Sequence, residues 1–271
     1  ENRSSSNAQM HTQILRILNS RFALEHRYAA LFAKSYSKTR PKRLYAQHIT
    51  RHFGEDNSYD SGLWINGIDW TTLYPLRFLR RRSSSSKDEE TTQIMTCTES
   101  SLLYCDLPWY LPIKDMVRNG WYMRADKPLG TRKFEFSVTK VEKSRVYFKA
   151  RGASHMTFYL KGSSDDRRRL VAWSLYEGIP QKAGERTVIP GEEDLEYFIY
   201  FASGRGDDHA TFEFWVEFEG EDLTSIDVAG AGHYFETPTK SLDVLESKLP
   251  DWTTYVGWVS VWEKIHLPLS H

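Results

Sequence analysis

One segment, residues 211–219, alternates apolar and polar side chains so regularly that it limits the folds open to the chain. Its sequence is Thr-Phe-Glu-Phe-Trp-Val-Glu-Phe-Glu. Because successive side chains of a β-strand point to opposite faces, the alternation predicts a strand with a buried aromatic face and a hydrated acidic face. The apolar positions are Phe212, Phe214, Val216 and Phe218, and the acidic ones are Glu213, Glu217 and Glu219.

Strand-like patterns recur along the chain, and within residues 131–219 no helical pattern interrupts them. This succession predicts a mainly β protein, an antiparallel two-sheet β-sandwich of jelly-roll-like type. An aromatic content of 14 % suits a strand-rich core. Residues 197–201 are apolar on both faces, which favours a central strand. The other predicted strands are residues 44–49, 63–68, 134–138, 146–150, 156–160, 171–175, 226–234 and 255–265.

Two helices are predicted outside this strand-rich part. A short C-terminal helix begins after Thr237-Pro238, which supply a cap and a first-turn proline, and it ends at Pro250. A helical pattern over residues 10–32 marks a candidate helix within an N-terminal extension of residues 1–40, the rest of which is predicted to be disordered. Residues 41–271 would form the β-sandwich domain, with an irregular loop at residues 71–96.

The charge balance argues against nucleic acid as a partner, and the hydropathy argues against a membrane-spanning helix in this chain. Lys plus Arg number 36 and Asp plus Glu number 36, so no overall basic field attracts nucleic acid. No apolar run approaches the roughly 18 residues that a membrane-spanning helix needs. The chain begins with Glu1 and shows neither a start methionine nor a signal peptide, which indicates a piece of a longer protein.

The histidines do not form a recognisable catalytic or metal-binding pattern. His48 and His52 have the spacing of a helical zinc motif, but Ile49 stands at the position of its catalytic Glu. The segment also has a strand pattern, in which residues four apart lie about 13 Å from each other. Asp207-Asp208-His209 is predicted to cap a turn. We therefore predict no catalytic, cofactor-binding or metal-binding residues in this chain.

Ser154 and His155 resemble a nucleophile beside a base. We expect them to lie in a turn between strands, where adjacent side chains rarely point together, so the interpretation is a hydrogen-bonded turn serine.

Two other features leave alternatives open. Trp64, Trp109, Tyr110 and Trp121 are candidate interaction aromatics that could stack on a ligand, or they are core and loop anchors. Cys97 and Cys105 lie close together in a loop-like stretch, which permits either a small disulfide loop or two free thiols.

Five stretches, in this order, resemble the C-terminal luminal domain of the endoplasmic reticulum metallopeptidase 1 family. They begin with Pro41-Lys-Arg-Leu-Tyr-Ala-Gln-His-Ile-Thr-Arg51 and Ser61-Gly-Leu-Trp-Ile-Asn-Gly-Ile-Asp69. Leu107-Pro-Trp-Tyr-Leu-Pro112, Gly152-Ala-Ser-His-Met-Thr-Phe-Tyr159 and Leu249-Pro-Asp-Trp-Thr253 follow. The resemblance covers about residues 40–266.

The resemblance implies an endoplasmic reticulum membrane protein with an upstream zinc exopeptidase domain of the aminopeptidase-like type. This chain would lie on the luminal side and contact the peptidase and transmembrane domains of the same parent. None of the family's zinc ligands falls within this sequence. The resemblance also implies a disulfide between Cys97 and Cys105, because the family has a cysteine pair at that place and the lumen is oxidising. Residues 80–90 look like an insertion relative to the family.

These observations predict a non-catalytic accessory domain, not an enzyme by itself, that packs on the peptidase domain or positions its substrate. The alternative is a carbohydrate- or peptide-binding β-sandwich module, which would need an exposed row of aromatic side chains.

Overall fold

The protein is described by a computed structural model that covers residues 36–53, 59–68, 73–76, 93–95, 103–110, 120–130, 133–162, 169–180, 195–204, 209–219, 226–235, 237 and 239–267. Within these residues the fold is mainly β, with two sheets and one short α-helix near the C-terminus. The predicted β-sandwich is confirmed.

The larger sheet has eight described strands in the order β3-β4-β2-β1-β12-β11-β7-β9, and the smaller has four in the order β5-β6-β10-β8. This division differs from the eight strands of a jelly roll. The strands are β1 (Lys42–Phe53), β2 (Tyr59–Gly67), β3 (Gln93–Met95), β4 (Gly120–Arg124), β5 (Glu135–Glu142), β6 (Arg145–Gly152), β7 (His155–Gly162), β8 (Leu170–Trp173), β9 (Leu195–Ala202), β10 (Ala210–Phe218), β11 (Ile226–Tyr234) and β12 (Thr253–Leu267).

The last strand, β12, lies in the middle of the larger sheet between β1 and β11. It pairs antiparallel with β11 but parallel with β1, from Lys42 opposite Thr253 to Phe53 opposite Lys264. The expectation of a purely antiparallel sandwich is therefore wrong at this one place. The cause is topological: the first and last strands of the domain become neighbours, and a parallel pair needs a long connection, which the whole domain supplies.

One face of the larger sheet is covered by two different structures. Over β11, β7 and β9 it packs against the smaller sheet, where Phe158 lies 5.0 Å from Phe214 between ring centroids. The predicted aromatic face of β10 is confirmed, with Val216 and Phe218 buried. On its outer face, Glu217 accepts a hydrogen bond from Arg145 at 2.6 Å. Strand β9 packs Tyr197 and Ile199 into the core between the sheets, but Tyr200 on its other face is exposed, and β9 is the last strand in the described order and not a central one.

The α-helix covers the rest of that face. Helix α1 (Lys240–Lys248) buries Leu242 and Leu245 against Leu44 and Ala46 of β1. Its N-cap is Thr239, whose side chain accepts a hydrogen bond from the Leu242 backbone N–H, and not Thr237 as the sequence predicted. A cap needs an extended backbone and an oxygen within reach of the first turn, and Thr239 meets both conditions.

The opposite face of the larger sheet is covered by the segment of residues 103–110. Cys105, Leu107 and Trp109 pack there on Trp64 and Trp262. Cys105 and Asp106 have positive φ values of 61° and 51°, so the backbone makes a sharp left-handed bend as it crosses the sheet.

Several predictions fall on residues that the structure does not describe. The candidate helix at residues 10–32, the charged stretch at residues 80–90, Cys97 and Asp207-Asp208 all lie outside the described residues. Within the predicted irregular loop at residues 71–96, the structure describes a 3-10 turn at Tyr74–Leu76 and strand β3. Among the helices that are described, none is long and apolar enough to cross a membrane.

Candidate functional site

His48 is a structural group and does not face solvent. It lies in β1 and is buried, and its Nε2–H donates to the backbone oxygen of Asp126 at 2.9 Å. Because Nε2 carries the hydrogen, Nδ1 accepts from the hydroxyl of Thr239 at 2.9 Å. Burial lowers the pKa of His48, and the hydrogen bond to the Asp126 carbonyl raises it by less. The net result is a lowered pKa and a neutral ring. Both ring nitrogens are occupied, so neither is available to a metal ion.

A second buried histidine, His233 of β11, was not singled out from the sequence. Its Nδ1 lies 3.0 Å from the hydroxyl of Ser260, and that hydroxyl donates to Oε1 of Gln47 at 2.8 Å. Nδ1 is therefore the donor and Nε2 the acceptor, and Nε2 receives the hydroxyl of Thr157 at 2.9 Å. Desolvation by burial lowers the pKa of His233 to about 3. Through these hydrogen bonds the neutral imidazole of β11 is connected to β7, β12 and β1, so four neighbouring strands of the larger sheet are linked.

Three of the four candidate interaction aromatics are buried. Trp64, Trp109 and Trp121 are 1 %, 1 % and 6 % exposed, so they cannot form an exposed row for stacking. Trp64 and Trp109 pack against each other with ring centroids 4.9 Å apart, and Trp121 belongs to the cluster beneath helix α1. The core interpretation holds for these three residues.

Tyr110, the fourth, is half-buried beside an exposed group of rings. Its hydroxyl lies 2.6 Å from the hydroxyl of Tyr200, and its ring centroid lies 5.2 Å from that of Phe235. Tyr200 and Phe235 are 42 % and 36 % exposed. An aromatic surface therefore exists on this face of the sheet, built by three segments that are distant in sequence.

Ser154 and His155 lie closer together than we expected. The Ser154 hydroxyl is 3.0 Å from Nδ1 of His155, because Ser154 lies in a bend and not in a regular strand. The described neighbours of the His155 ring are aromatic, namely Tyr110, Tyr200 and Phe235. No described carboxylate orients this ring, so the pair lacks the third group of a catalytic triad.

A polar cleft of about 530 Å³ opens at the ends of β1, β2 and β4. Its charged lining residues are Arg51, Asp60, Arg124, Asp126 and Lys127, and its aromatic ones are Tyr59 and Tyr122. Sequence reasoning missed the cleft because its residues lie in three separate segments and follow no motif. Its volume is within the range of ordinary ligand pockets.

The inner wall of the cleft is a fixed hydrogen-bonded network. Arg51 and Asp60 form an ion pair, and the hydroxyl of Tyr122 donates to the same carboxylate oxygen of Asp60 at 2.6 Å. Nη1 of Arg51 also donates to the backbone oxygen of Asp106 at 3.1 Å, which connects the wall to the covering segment. Burial alone would raise the pKa of Asp60, but the bonds from Tyr122 and Arg51 outweigh it and hold the pKa below its usual value. Asp60 is therefore ionised and neutralised by Arg51.

The outer rim of the cleft carries two exposed cations. Arg124 ends strand β4, and Lys127 follows three residues later with its Nζ 5.4 Å from the ring centroid of Tyr59. Two hydrogen bonds fix the backbone of the rim segment, residues 124–127. Ala125 N–H donates to the Ser61 backbone oxygen at 3.1 Å, and Asp126 accepts from His48 as described above.

Of the predicted Asp207-Asp208-His209 turn, the structure describes His209. His209 is exposed in the turn before β10. Among the residues that the structure describes, no three His, Cys, Asp or Glu side chains are grouped so that they could hold a metal ion. Cys105 is buried next to Leu107, and because Cys97 is not described, the disulfide between them stays a prediction.

Comparison with known proteins identifies one family. The sequence model described as endoplasmic reticulum metallopeptidase 1, C-terminal domain, matches residues 39–264. A rat (Rattus norvegicus) protein named Endoplasmic reticulum metallopeptidase 1 is 30 % identical over 249 residues, which are 85 % of this chain and 25 % of that protein. The human (Homo sapiens) protein of the same name is 29 % identical over 249 residues, or 86 % of this chain and 25 % of its own length. The chain thus spans about a quarter of the length of these curated relatives.

A solved structure also matches, the Fcho1 Mu homology domain of Danio rerio with bound Eps15 peptide. It shares 8 % sequence identity, with 82 % of this chain and 92 % of that chain covered and a TM-score of 0.25. A likeness at this level carries no argument about fold or function.

Proposed function

The chain belongs to the family of endoplasmic reticulum metallopeptidase 1 C-terminal domains, and from this premise we propose that it is a non-catalytic accessory domain of a larger peptidase. In this proposal the parent is a zinc-dependent, aminopeptidase-like hydrolase of the endoplasmic reticulum membrane. The domain lies on the luminal side, packs on the peptidase domain and positions peptide substrate for it.

The observation that carries the proposal is the division of polar groups between the interior and the cleft. The two buried histidines are neutral and are used to join strands. The cleft, in contrast, is lined by charged groups that face solvent, and its volume of about 530 Å³ is large enough for part of a peptide. This division supports a binding role, because a catalytic site needs its base and nucleophile in the accessible space.

A zinc ion does not fit the described residues of this chain. The nitrogens of His48 and His233 are hydrogen-bonded within the sheet, and Asp60 is committed to Arg51 and Tyr122. The metal that the relatives' name implies would therefore be bound by another part of the parent.

Of the two binding hypotheses, the peptide one has support in the structure. Stacking on sugars needs exposed aromatic faces. Trp64, Trp109 and Trp121 are buried, which leaves that hypothesis only the aromatic surface of Tyr110, Tyr200 and Phe235 among the described residues. The accessible cleft is lined by charges and by tyrosines, which suits the charged and amide groups of a peptide.

The direct test is a peptidase assay of the purified chain with added zinc. We expect no hydrolysis of peptides by the chain, and no change when His48→Gln or His209→Gln is introduced. Zinc-dependent turnover by the chain alone that is lost in either variant would refute the proposal.

A further inference from the structure

Among the described residues that line it, the cleft at the ends of β1, β2 and β4 has one more cation than it has carboxylates. Three cations and two carboxylates line it. Arg51 and Asp60 form an ion pair, so one of the three cations and one of the two carboxylates neutralise each other. Among the described residues, neither Arg124 nor Lys127 has an ion-pair partner, and Asp126 is the one other carboxylate in the lining. The cleft therefore favours an anion of single charge.

The inner wall of the cleft also contains a buried polar group. The Arg51 side chain is 12 % exposed, and its buried Nε has no hydrogen-bond partner among the residues that the structure describes. Because this atom has almost no accessible surface, a ligand in the cleft meets the exposed cations Arg124 and Lys127 and not this N–H.

The geometry of the rim is set before any ligand arrives. The rim segment that carries Lys127 is fixed by Ala125 to β2 and by His48 to β1. His48 is in turn held by Thr239, the N-cap of helix α1. Because the cations are presented on an anchored segment, binding an anion requires little ordering of the backbone, and such preorganisation increases affinity.

From this geometry we infer that the cleft binds a carboxylate of an extended peptide segment, with Arg124 and Lys127 as its cations and Tyr59 beside the neighbouring peptide group. The inference rests on the proposed function, since it names the substrate group that the domain positions. A carboxylate fits better than a phosphate, because the single excess charge would leave a dianion partly uncompensated and Asp126 would repel it.

The test is an NMR titration of the whole chain with N-acetylated hexa-alanine, compared with the same peptide carrying a C-terminal amide. A second pair of peptides has amidated C-termini. One of them contains an internal glutamate, and its control contains a glutamine at the same position. We expect saturable shifts of the amide signals of Ser61, Ala125 and Lys127 with the carboxylate-bearing peptides. The carboxylate comes from the free C-terminus in the first pair and from the glutamate side chain in the second. The pair in which the carboxylate peptide binds more tightly than its amide control identifies which of the two carboxylates the cleft binds.

Two double variants separate the cleft from general charge effects. R124Q/K127Q removes both rim cations, and we expect about tenfold weaker binding. R151Q/K240Q removes one exposed arginine and one exposed lysine elsewhere, on β6 and on helix α1, and should bind as the unmodified chain does. Raising the salt concentration should weaken binding to the unmodified chain, because exposed ion pairs are screened.

Equal binding of carboxylate and amide peptides, equal loss in both double variants, or tighter binding of inorganic phosphate would each overturn the inference. These outcomes leave the proposed function in place, since they concern the ligand group alone. Zinc-dependent hydrolysis by the isolated chain would instead remove the proposed function, so the two failures are distinguishable.

Discussion

We expect the stability of the domain to fall as the pH is lowered, with a defined contribution from His233. Its imidazole is completely buried and hydrogen-bonded on both nitrogens as a neutral ring. In the unfolded chain the same ring has an ordinary pKa of about 6.5, whereas burial lowers the pKa in the folded protein to about 3. Below about pH 6.5 the unfolded chain therefore binds a proton that the folded protein does not.

The sign and the size follow from this difference in proton binding. The free energy of unfolding is fully retained above about pH 6.5 and decreases by about 1.4 kcal/mol for each pH unit below it, until the pH reaches the folded pKa. Between about pH 7 and pH 5 the contribution of His233 amounts to a loss of about 2 kcal/mol. His48, whose pKa is also lowered by burial, acts in the same direction.

The assay is urea unfolding at about pH 5, 6 and 7 for the unmodified chain and for His233→Gln. Glutamine can form hydrogen bonds but does not titrate, so the variant should lose about 2 kcal/mol less than the unmodified chain between pH 7 and pH 5. His209→Gln, at an exposed position, is the matched control and should keep the full pH dependence. If the His233 variant does not fold, NMR titration of the imidazole in the unmodified chain replaces it. Equal pH dependence in all three proteins, or a His233 ring that titrates near 6.5, would refute the argument.

Three further predictions concern β12. Burial raises the pKa of Glu263 to about 7, above its ordinary value of about 4.5, so the folded protein loses stability as the pH rises from about 4.5 to about 7 and keeps this loss at higher pH. Glu263→Gln should therefore stabilise the domain by about 1–3 kcal/mol near pH 8 and give no gain near pH 4.5, as measured by urea unfolding. Trp262 is fully buried, so Trp262→Ala should lower the free energy of unfolding by about 3–5 kcal/mol. The control Val256→Ala, at a position 57 % exposed on the same strand, should change it by no more than about 0.5 kcal/mol. Truncation after Pro250 removes the strand that joins β1 to β11 and should give insoluble protein; a soluble product that unfolds cooperatively would contradict this.

Patterns that are local in sequence predicted the fold well. The alternation of Phe212 to Phe218 fixes which side of β10 is buried, because the period of two is a property of the strand itself. In β12 alternation is less informative, because Trp258 and Trp262 are buried on one face and Val259 and Val261 on the other. The parallel pairing of β12 with β1 could not be found this way, since periodicity carries no information about which strand lies beside which.

The candidate site depends on long-range contacts and could not be predicted. Asp60 is neutralised by Arg51 because β1 and β2 place the two residues opposite each other. Lys127 reaches Tyr59 only because the segment after β4 is bound to β2 and to His48. The hydrogen-bond partners of His48 lie 78 and 191 residues away in sequence, so the strand-like pattern around it could not identify them.

The central claim is that this domain positions peptide substrate and leaves the chemistry to the rest of the parent. The most direct measurement is steady-state peptide hydrolysis by the full-length parent carrying either R124Q/K127Q or the control R151Q/K240Q. We predict that R124Q/K127Q raises KM for carboxylate-bearing peptides by about tenfold and leaves kcat unchanged, because uniform substrate binding is lost while the transition-state contacts are not. The control should match the unmodified parent. A fall in kcat at constant KM, or the same kinetics in both double variants, would contradict the account.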